Sequence, residues 1–383
     1  MNEQQFIKKA QTKMHTLFYN AQFFTGTETV EGRALLVSGD RIEGFADPAQ
    51  VSADVRRIDC SGNLVFAGLI DLQIAGGGGF LFSSNPTPEA LDIIIRSIVS
   101  TGTTGFLLAL PTNSADVYKA AFRTVAGINH PAVMGLHMEG PFISNARRGA
   151  HAPELILKPA PANVDAILGD AAGTIRMMTV APETCTHEVI ALLRKHGITV
   201  AAGHSNATFS EAMRGFEMGI ETTTHLFNAM SPLHHRDPGL PGAAFLSETA
   251  MASIIADGIH VDYSMIRLAK KIMRERLFLV SDAVEENDRG AYKHVKKSDR
   301  FTLPDGTLSG AKLTMLDAAR NCMKMAGIEK YEAIRMATLY PARLIRADDR
   351  GVIAPGSRAD LVIVDNEMRL RGVCFNGVTE FKD

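Results

Sequence analysis

A chain of 383 residues is longer than one small domain requires and suffices for a large barrel with a minor domain. Hydrophobic residues make up 46% and charged residues 21%, and the net charge of −2 gives no electrostatic footprint for nucleic acid or an anionic membrane. Four cysteines without a C-x-x-C pair argue against a zinc knuckle or disulfide framework and for a reducing, cytoplasmic location, and no apolar run has the length of a signal core or membrane span.

The residues up to about Lys13 read as a frayed or helical extension. From 15 to 64 the chain carries short alternating segments (TLFYNAQFF, RALLVSGDRIEGFA, VRRIDCSG), with Ser-Gly-Asp as a turn signal. Eight apolar runs follow, at 65–73, 104–111, 132–140, 175–183, 198–204, 220–227, 252–258 and 277–283. Helix-like stretches fill most gaps, and TPEALDIIIRSIVSTG, THEVIALLRKHG and FSEAMRGFEMG each end in a glycine suited to a helix C-cap. Near-continuous apolar strands alternating with helices predict parallel pairing with right-handed crossovers, and eight units predict an α/β fold of the (β/α)8 TIM-like barrel type. An open doubly wound sheet is the competing architecture.

Four glycines, Gly76 to Gly79, follow the first run; with no G-K-[ST] and no spaced dinucleotide fingerprint they read as a tight rim turn. The basic run 293–297 (KHVKK) reads as a solvated face or loop. Residues 308–327 read as a loop entering an amphipathic helix, and 331–346 as a further helix with a boundary near Pro341. The end of the chain (GVIAPGSRADLVIVD, MRLRGVCFNGVTEF) returns to short alternating segments. Neither end is long enough for its own core, so residues 1–64 and 348–383 are expected to pair into one small β-sandwich domain, with the catalytic barrel, 65–347, inserted between them.

Four of the runs end in a metal-competent or proton-handling side chain: Glu139 in HMEGPF, His204 in GHSN, His225 in THLF and Asp282 in LVSDA. Taken singly, each has a plainer reading: an ion-paired glutamate, two hydrogen-bonded structural histidines and a helix N-cap aspartate. Together at the C-terminal ends of barrel strands they converge on one rim, where a carboxylate and two imidazoles suit a divalent cation with one position left open. Asp282 then suits proton transfer to and from the attacking water and the leaving group. His260, in ADGIHV, is either a substrate contact or an ordinary loop histidine.

The motifs DLQIAGGGG, HMEGPF, GHSNAT, THLFNAM, RDPGLPGA, ADGIHVD, SDA, LSGAKLTM, MATLYPARLI and ADLVIVD occur in that order. From about residue 15 to its end the chain resembles the N-acetylglucosamine-6-phosphate deacetylase family of the amidohydrolase superfamily. The resemblance implies hydrolysis of an acetamide on an amino-sugar phosphate. It implies that Glu139, His204 and His225 hold one divalent ion per subunit, zinc in the first instance, with iron, manganese or cobalt able to use the same groups. Asp282 is then the acid/base. Ala150, His151, Asn228, Ala229, Arg236 and His260 are expected to meet the substrate, with Leu308, Ser309 and Gly310 over its acetyl end. A homodimer is expected, with Arg236 reaching the phosphate across the interface.

Two departures bear on this expectation. Where many amidohydrolases carry H-x-H for a second metal, this chain has Gln73 and Ala75, which favours one metal. The segment after Asp282 (VEENDRGAYKHVKKSD) lacks the family's Pro-Ala-Gly stretch, leaving the galactosamine epimer, or both epimers, as an alternative substrate. A binding scaffold without catalysis and a cyclic-amide hydrolase are further readings; the four retained site residues argue against the first, and Arg236 with FNAM against the second.

Overall fold

The computed structural model describes residues 15–171 and 173–382, so the expected N-terminal extension lies outside the described residues. Contacts divide the chain into two units, one running to Gly68 and resuming at Asp348, the other spanning Leu69–Ala347.

The larger unit is built on one eight-stranded sheet: β1 (Leu69–Ile74), β2 (Thr103–Pro111), β3 (Val133–Glu139), β4 (Ile175–Val180), β5 (Thr199–Ala202), β6 (Thr222–Thr223), β7 (Met251–Ile254) and β8 (Leu277–Leu279). The strands pair in chain order and all in parallel. Just beyond β8 the ring is tied to β1 by Asp282 N–H donating to Gln73 O (2.9 Å) and Ala75 N–H donating to Ala283 O (2.8 Å). All six residues of β1 and eight of nine in β2 are buried, as expected of strands covered on both faces.

A helix follows each strand: α1 (Pro88–Val99), α2 (Ala115–Gly127), α3 (Pro161–Ala171), α4 (His187–Lys195), α5 (Phe209–Glu217), α6 (Gly239–Leu246), α7 (Tyr263–Met273) and α8 (Met315–Lys324). Their starts are set by short polar caps. Thr87, Ser114, Thr186, Thr208, Asp262 and Thr314 each accept a hydrogen bond from an otherwise unpaired first-turn N–H, worth about 1 kcal/mol apiece. Thr208 and Glu211 form a reciprocal capping box. The predicted stop signals at Gly102, Gly197 and Gly219 all have positive φ.

The smaller unit holds a four-stranded sheet, in the order Arg41–Ala46, Ala34–Ser38, His15–Tyr19, Arg56–Asp59, and a six-stranded sheet, in the order Val378–Phe381, Leu370–Phe375, Leu361–Val364, Leu64–Ala67, Gln22–Phe24, Thr29–Val30. The chain ends meet where Leu361–Val364 pairs antiparallel with Leu64–Ala67. Phe18, Phe23, Leu35, Val65, Leu361 and Ile363 are fully buried members of one core cluster drawn from both sheets.

Two readings are refined. The first apolar run is two strands: Leu64–Ala67 belongs to the smaller unit, and β1 begins after Gly68. The stretch 331–346 is two helices, Lys330–Met336 and Leu339–Leu344, and the break falls at Ala337–Thr338 rather than at Pro341. Pro341 has no N–H to give to the carbonyl four residues back, so a continuous helix loses its bond there.

Candidate active site

A cavity of about 280 Å³ opens at the C-terminal ends of the barrel strands. Glu139 ends β3 and lies buried at its floor. His204 follows β5, His225 follows β6 and Asp282 follows β8. His204, His225 and Asp282 have positive φ (46°, 34° and 51°), as has Ala229 (47°). With Phe227 (79°) in the same loop, these non-glycine residues at positive φ on one rim are a local strain cost that the barrel sustains beside the site.

His225 Nε2 lies 3.0 Å and His204 Nε2 3.2 Å from Glu139 Oε1, and the two Nε2 atoms are 3.1 Å apart. Three ligand atoms on a tetrahedral zinc are separated by about 3.3–3.6 Å, so a small outward shift admits an ion. The donor chemistry fits as well. His204 Nδ1 donates to the Arg147 carbonyl (3.2 Å), which leaves its Nε2 lone pair facing a carboxylate oxygen; a cation between them removes that repulsion. Glu139, His151 and His204 also offer ligand atoms within 4.8 Å of one another, but His151 Nε2 stands 3.7 Å from Glu139 Oε2, and its Nδ1 is engaged with Thr112 Oγ1 at 2.9 Å. The tighter triangle is the one with His225.

Burial alone would raise the Glu139 pKa, yet its close contacts with the imidazoles of His151, His204 and His225 hold it well below the ordinary carboxyl value. Burial, with an electrostatic contribution from the neighbouring His151, lowers the His204 pKa and favours the neutral form that binds metals. Asp282 moves the other way: burial and then the charge of Glu139 push it well above the usual range. Two carboxyls with opposed pKa values side by side are the signature of divided roles, one a fixed anion and the other a proton carrier.

Gln73, at the end of β1, connects them. Its Nε2 donates to Glu139 Oε1 (2.8 Å) and to Asp282 Oδ1 (2.9 Å), while its Oε1 is buried without a hydrogen-bond partner among the described residues. Beneath it, Asp71 Oδ1 accepts from the N–H groups of Gln73 (3.1 Å) and Ser281 (3.2 Å), and Oδ2 accepts from the Ser281 hydroxyl. The interior layer below is polar and closed. His137 Nδ1 donates to Leu72 O (2.9 Å), so its Nε2 accepts from Thr179 Oγ1 (2.7 Å), which in turn accepts from Thr224 Oγ1 (2.6 Å). Burial pushes His137 down to about 4, and it stays neutral.

Of the expected substrate contacts, Ala150, His151, Asn228, Ala229, His260, Leu308, Ser309 and Gly310 all line the cavity. His260 is held by Asp257, whose Oδ2 accepts from Nδ1 at 2.6 Å, so Nε2 is left for a ligand. Arg236 is the exception: it is exposed on the loop before α6, and neither lysine nor arginine is among the lining residues. Among the lining residues not expected from the sequence are Tyr292 and His294. Tyr292 donates its hydroxyl to the Thr112 carbonyl (2.5 Å) and meets the His151 ring edge-on at 5.9 Å. His294 is buried with Nδ1 2.6 Å from Ser309 Oγ, and burial takes its pKa down to about 4. It lies inside the basic run read as a solvated face; only Val295–Lys296 pairing with Phe301–Thr302 reveals that this position turns inward. The four glycines do form a rim turn: Gly76–Gly77 pairs with Phe80–Leu81, and a Cβ on Gly76 would lie 2.2 Å from Phe80 O.

A closed parallel barrel with buried Glu139, His204 and His225 and a half-buried Asp282 on its C-terminal rim defines the class of metal-dependent barrel hydrolases. The amidohydrolase family model matches residues 64–379, and the chain belongs to that family. It is 33% identical over 373 residues to N-acetylglucosamine-6-phosphate deacetylase of Haemophilus influenzae, covering 94% of this chain and 97% of that protein. It is likewise 33% identical over 382 residues to N-acetylgalactosamine-6-phosphate deacetylase of Shewanella sp. (strain ANA-3), covering 96% and 97%. The crystal structure of N-acetylglucosamine-6-phosphate deacetylase from Pasteurella multocida superposes with a TM-score of 0.90 at 33% identity, over 96% of this chain and all of that one. Among the described residues no helix is long and apolar enough to cross a membrane.

Proposed function

We propose that this protein hydrolyses the acetamide of N-acetylglucosamine 6-phosphate to acetate and glucosamine 6-phosphate. The observation that carries the reading is the Glu139–His204–His225 triangle, joined through Gln73 to an Asp282 of raised pKa. Glu139, His204 and His225 are the residues that would hold the divalent ion, zinc in the first instance. When bound, such an ion supplies Lewis acidity to the amide and to an attacking water. Asp282 is basic enough to take a proton from that water and, once protonated, to return it to the departing nitrogen. His260 Nε2 and the Asn228–Ala229 turn bind and orient the sugar phosphate. His151, fixed by Thr112, lies on the other side of Glu139.

The phosphate dianion calls for a cation that the lining lacks. The exposed Arg236 is assigned to it, from a second copy of the chain in a homodimer. The buried, unpaired Cys60, Cys322 and Cys374 suit a reducing compartment, and a cytoplasmic location belongs to the same reading.

The test is acetate release from N-acetylglucosamine 6-phosphate by purified protein of known metal content. No release by metal-replete protein ends the reading. The galactosamine epimer is the second reading. It is favoured by the loop after Asp282, which brings Tyr292 and His294 into the cavity, and by the similarity to the Shewanella enzyme. Values of kcat/KM measured side by side decide between the two; an equal or reversed preference defeats the glucosamine substrate.

A further inference from the structure

One apolar cluster is formed by Ala75, Leu81, Ala109, Tyr292 and the partly buried Val284, and all five line the active-site cavity. They come from the end of β1, the glycine hairpin, β2 and the segment after Asp282, and together they make one wall. Two polar lining residues, Asn228 and His260, lie beyond the ends of β6 and β7, at a different part of the rim. An amide reacting between Asp282 and the Glu139–His204–His225 triangle with its polar substituent toward β6 and β7 would set its acyl substituent against the apolar wall.

That wall is shallow at two points. Ala109 on β2 and Ala75 just beyond β1 bring only single methyls to the wall, in one cluster with the larger Leu81 and Tyr292. Tyr292 has its hydroxyl committed to the Thr112 carbonyl, so it presents ring rather than a free polar group. Gly310, at φ +63°, lets the neighbouring loop close onto the wall; a Cβ there would lie 2.4 Å from Val284 Cγ1.

The geometry points to an acyl pocket that accepts aliphatic N-acyl groups longer than acetyl, such as the propionamide of the amino-sugar phosphate. This rests on the deacetylase reading and extends its substrate class. The chemistry is unchanged: the amide C–N bond breaks, a water oxygen bonds to the acyl carbon, and a proton passes to the nitrogen. The products are an alkanoate and the free amine, and nothing is oxidised or reduced.

The test compares N-acetyl- and N-propionylglucosamine 6-phosphate on the same metal-replete full-length protein, following release of the amine. The expected propionamide kcat/KM lies between a third of the acetamide value and about fourfold above it, fourfold being the worth of one methylene removed from water. Less than a third overturns the inference. In Ala109→Leu, and independently in Ala75→Val, the propionamide-to-acetamide ratio should fall at least fivefold. An unchanged ratio in both, whatever the absolute rates, also overturns it. Turnover of the acetamide with rejection of the propionamide removes the inference and leaves the deacetylase reading standing; turnover of neither removes both.

Discussion

The Gln73 side-chain amide donates to Asp282 Oδ1 at 2.9 Å while its second N–H reaches Glu139 Oε1 at 2.8 Å. A neutral donor pair thus occupies the place between two carboxylates where a second cation would otherwise sit, and Ala75 offers no ligand atom nearby. One divalent ion per chain is expected to bind tightly. Elemental analysis of protein dialysed against metal-free buffer checks this, and two ions held with equal affinity would contradict the role given to Gln73.

Asp282 is half-buried, has a raised pKa and lies outside the Glu139–His204–His225 triangle. Asp282→Asn keeps an oxygen for the Gln73 donor but removes the base. It should lower kcat by about 10²–10⁴-fold with metal content unchanged. Near-normal turnover would take Asp282 out of proton transfer, and loss of the ion would make it a ligand instead.

His225 and His151 both lie near Glu139, and their geometry assigns them different work. His225 Nε2 is 3.0 Å from Glu139 Oε1, whereas His151 is 3.7 Å from the other carboxylate oxygen and tied to Thr112. His225→Ala should weaken metal binding by more than the about 10–100-fold that loss of an outer partner costs. His151→Ala should keep the ion and lose kcat/KM. Competition with a chromogenic chelator reads both affinities, and the opposite pattern would move the ligand assignment to His151.

The barrel was legible because most of its strands are apolar runs with a polar or glycine end, and the two-residue β6 announced itself through Thr222-Thr223-Thr224 and His225. The split of the first run at Gly68 was not legible. Leu64–Ala67 and Leu69–Ile74 are equally apolar, and only pairing with Leu361–Val364, some 300 residues on, assigns the former elsewhere. Glu139, His204, His225 and Asp282 could be found because strand ends of a barrel share one rim. Tyr292 and His294 could not. They sit in a charged loop whose inward turn depends on the Asn287 side chain capturing the carbonyls of Arg289 and Tyr292, contacts with no periodic signature. Arg236 shows the converse, a motif position that this chain leaves exposed and outside the cavity lining.

Asp71 gives a test of the layer that supports the site. It is fully buried on β1 between Gln73 and Ser281, and burial raises its pKa to about 6 against hydrogen bonds that pull it down. The unfolded value is near 3.8, so between about pH 4 and 6 the folded state binds more protons than the unfolded state. Stability contributed at this position therefore rises as pH falls through that window and is flat above about 7. Two pH units correspond to about 3 kcal/mol. Asp71→Asn keeps an acceptor for the two N–H groups and does not titrate. The stability of the unsubstituted protein relative to Asp71→Asn should therefore improve by up to that amount between pH 7 and pH 4, with both proteins stripped of metal so that ion binding does not enter. Melting temperatures of the pair across the range measure the gap. A gap that stays constant, or one that turns against the aspartate on acidification, would show that this carboxyl is held charged in the folded barrel.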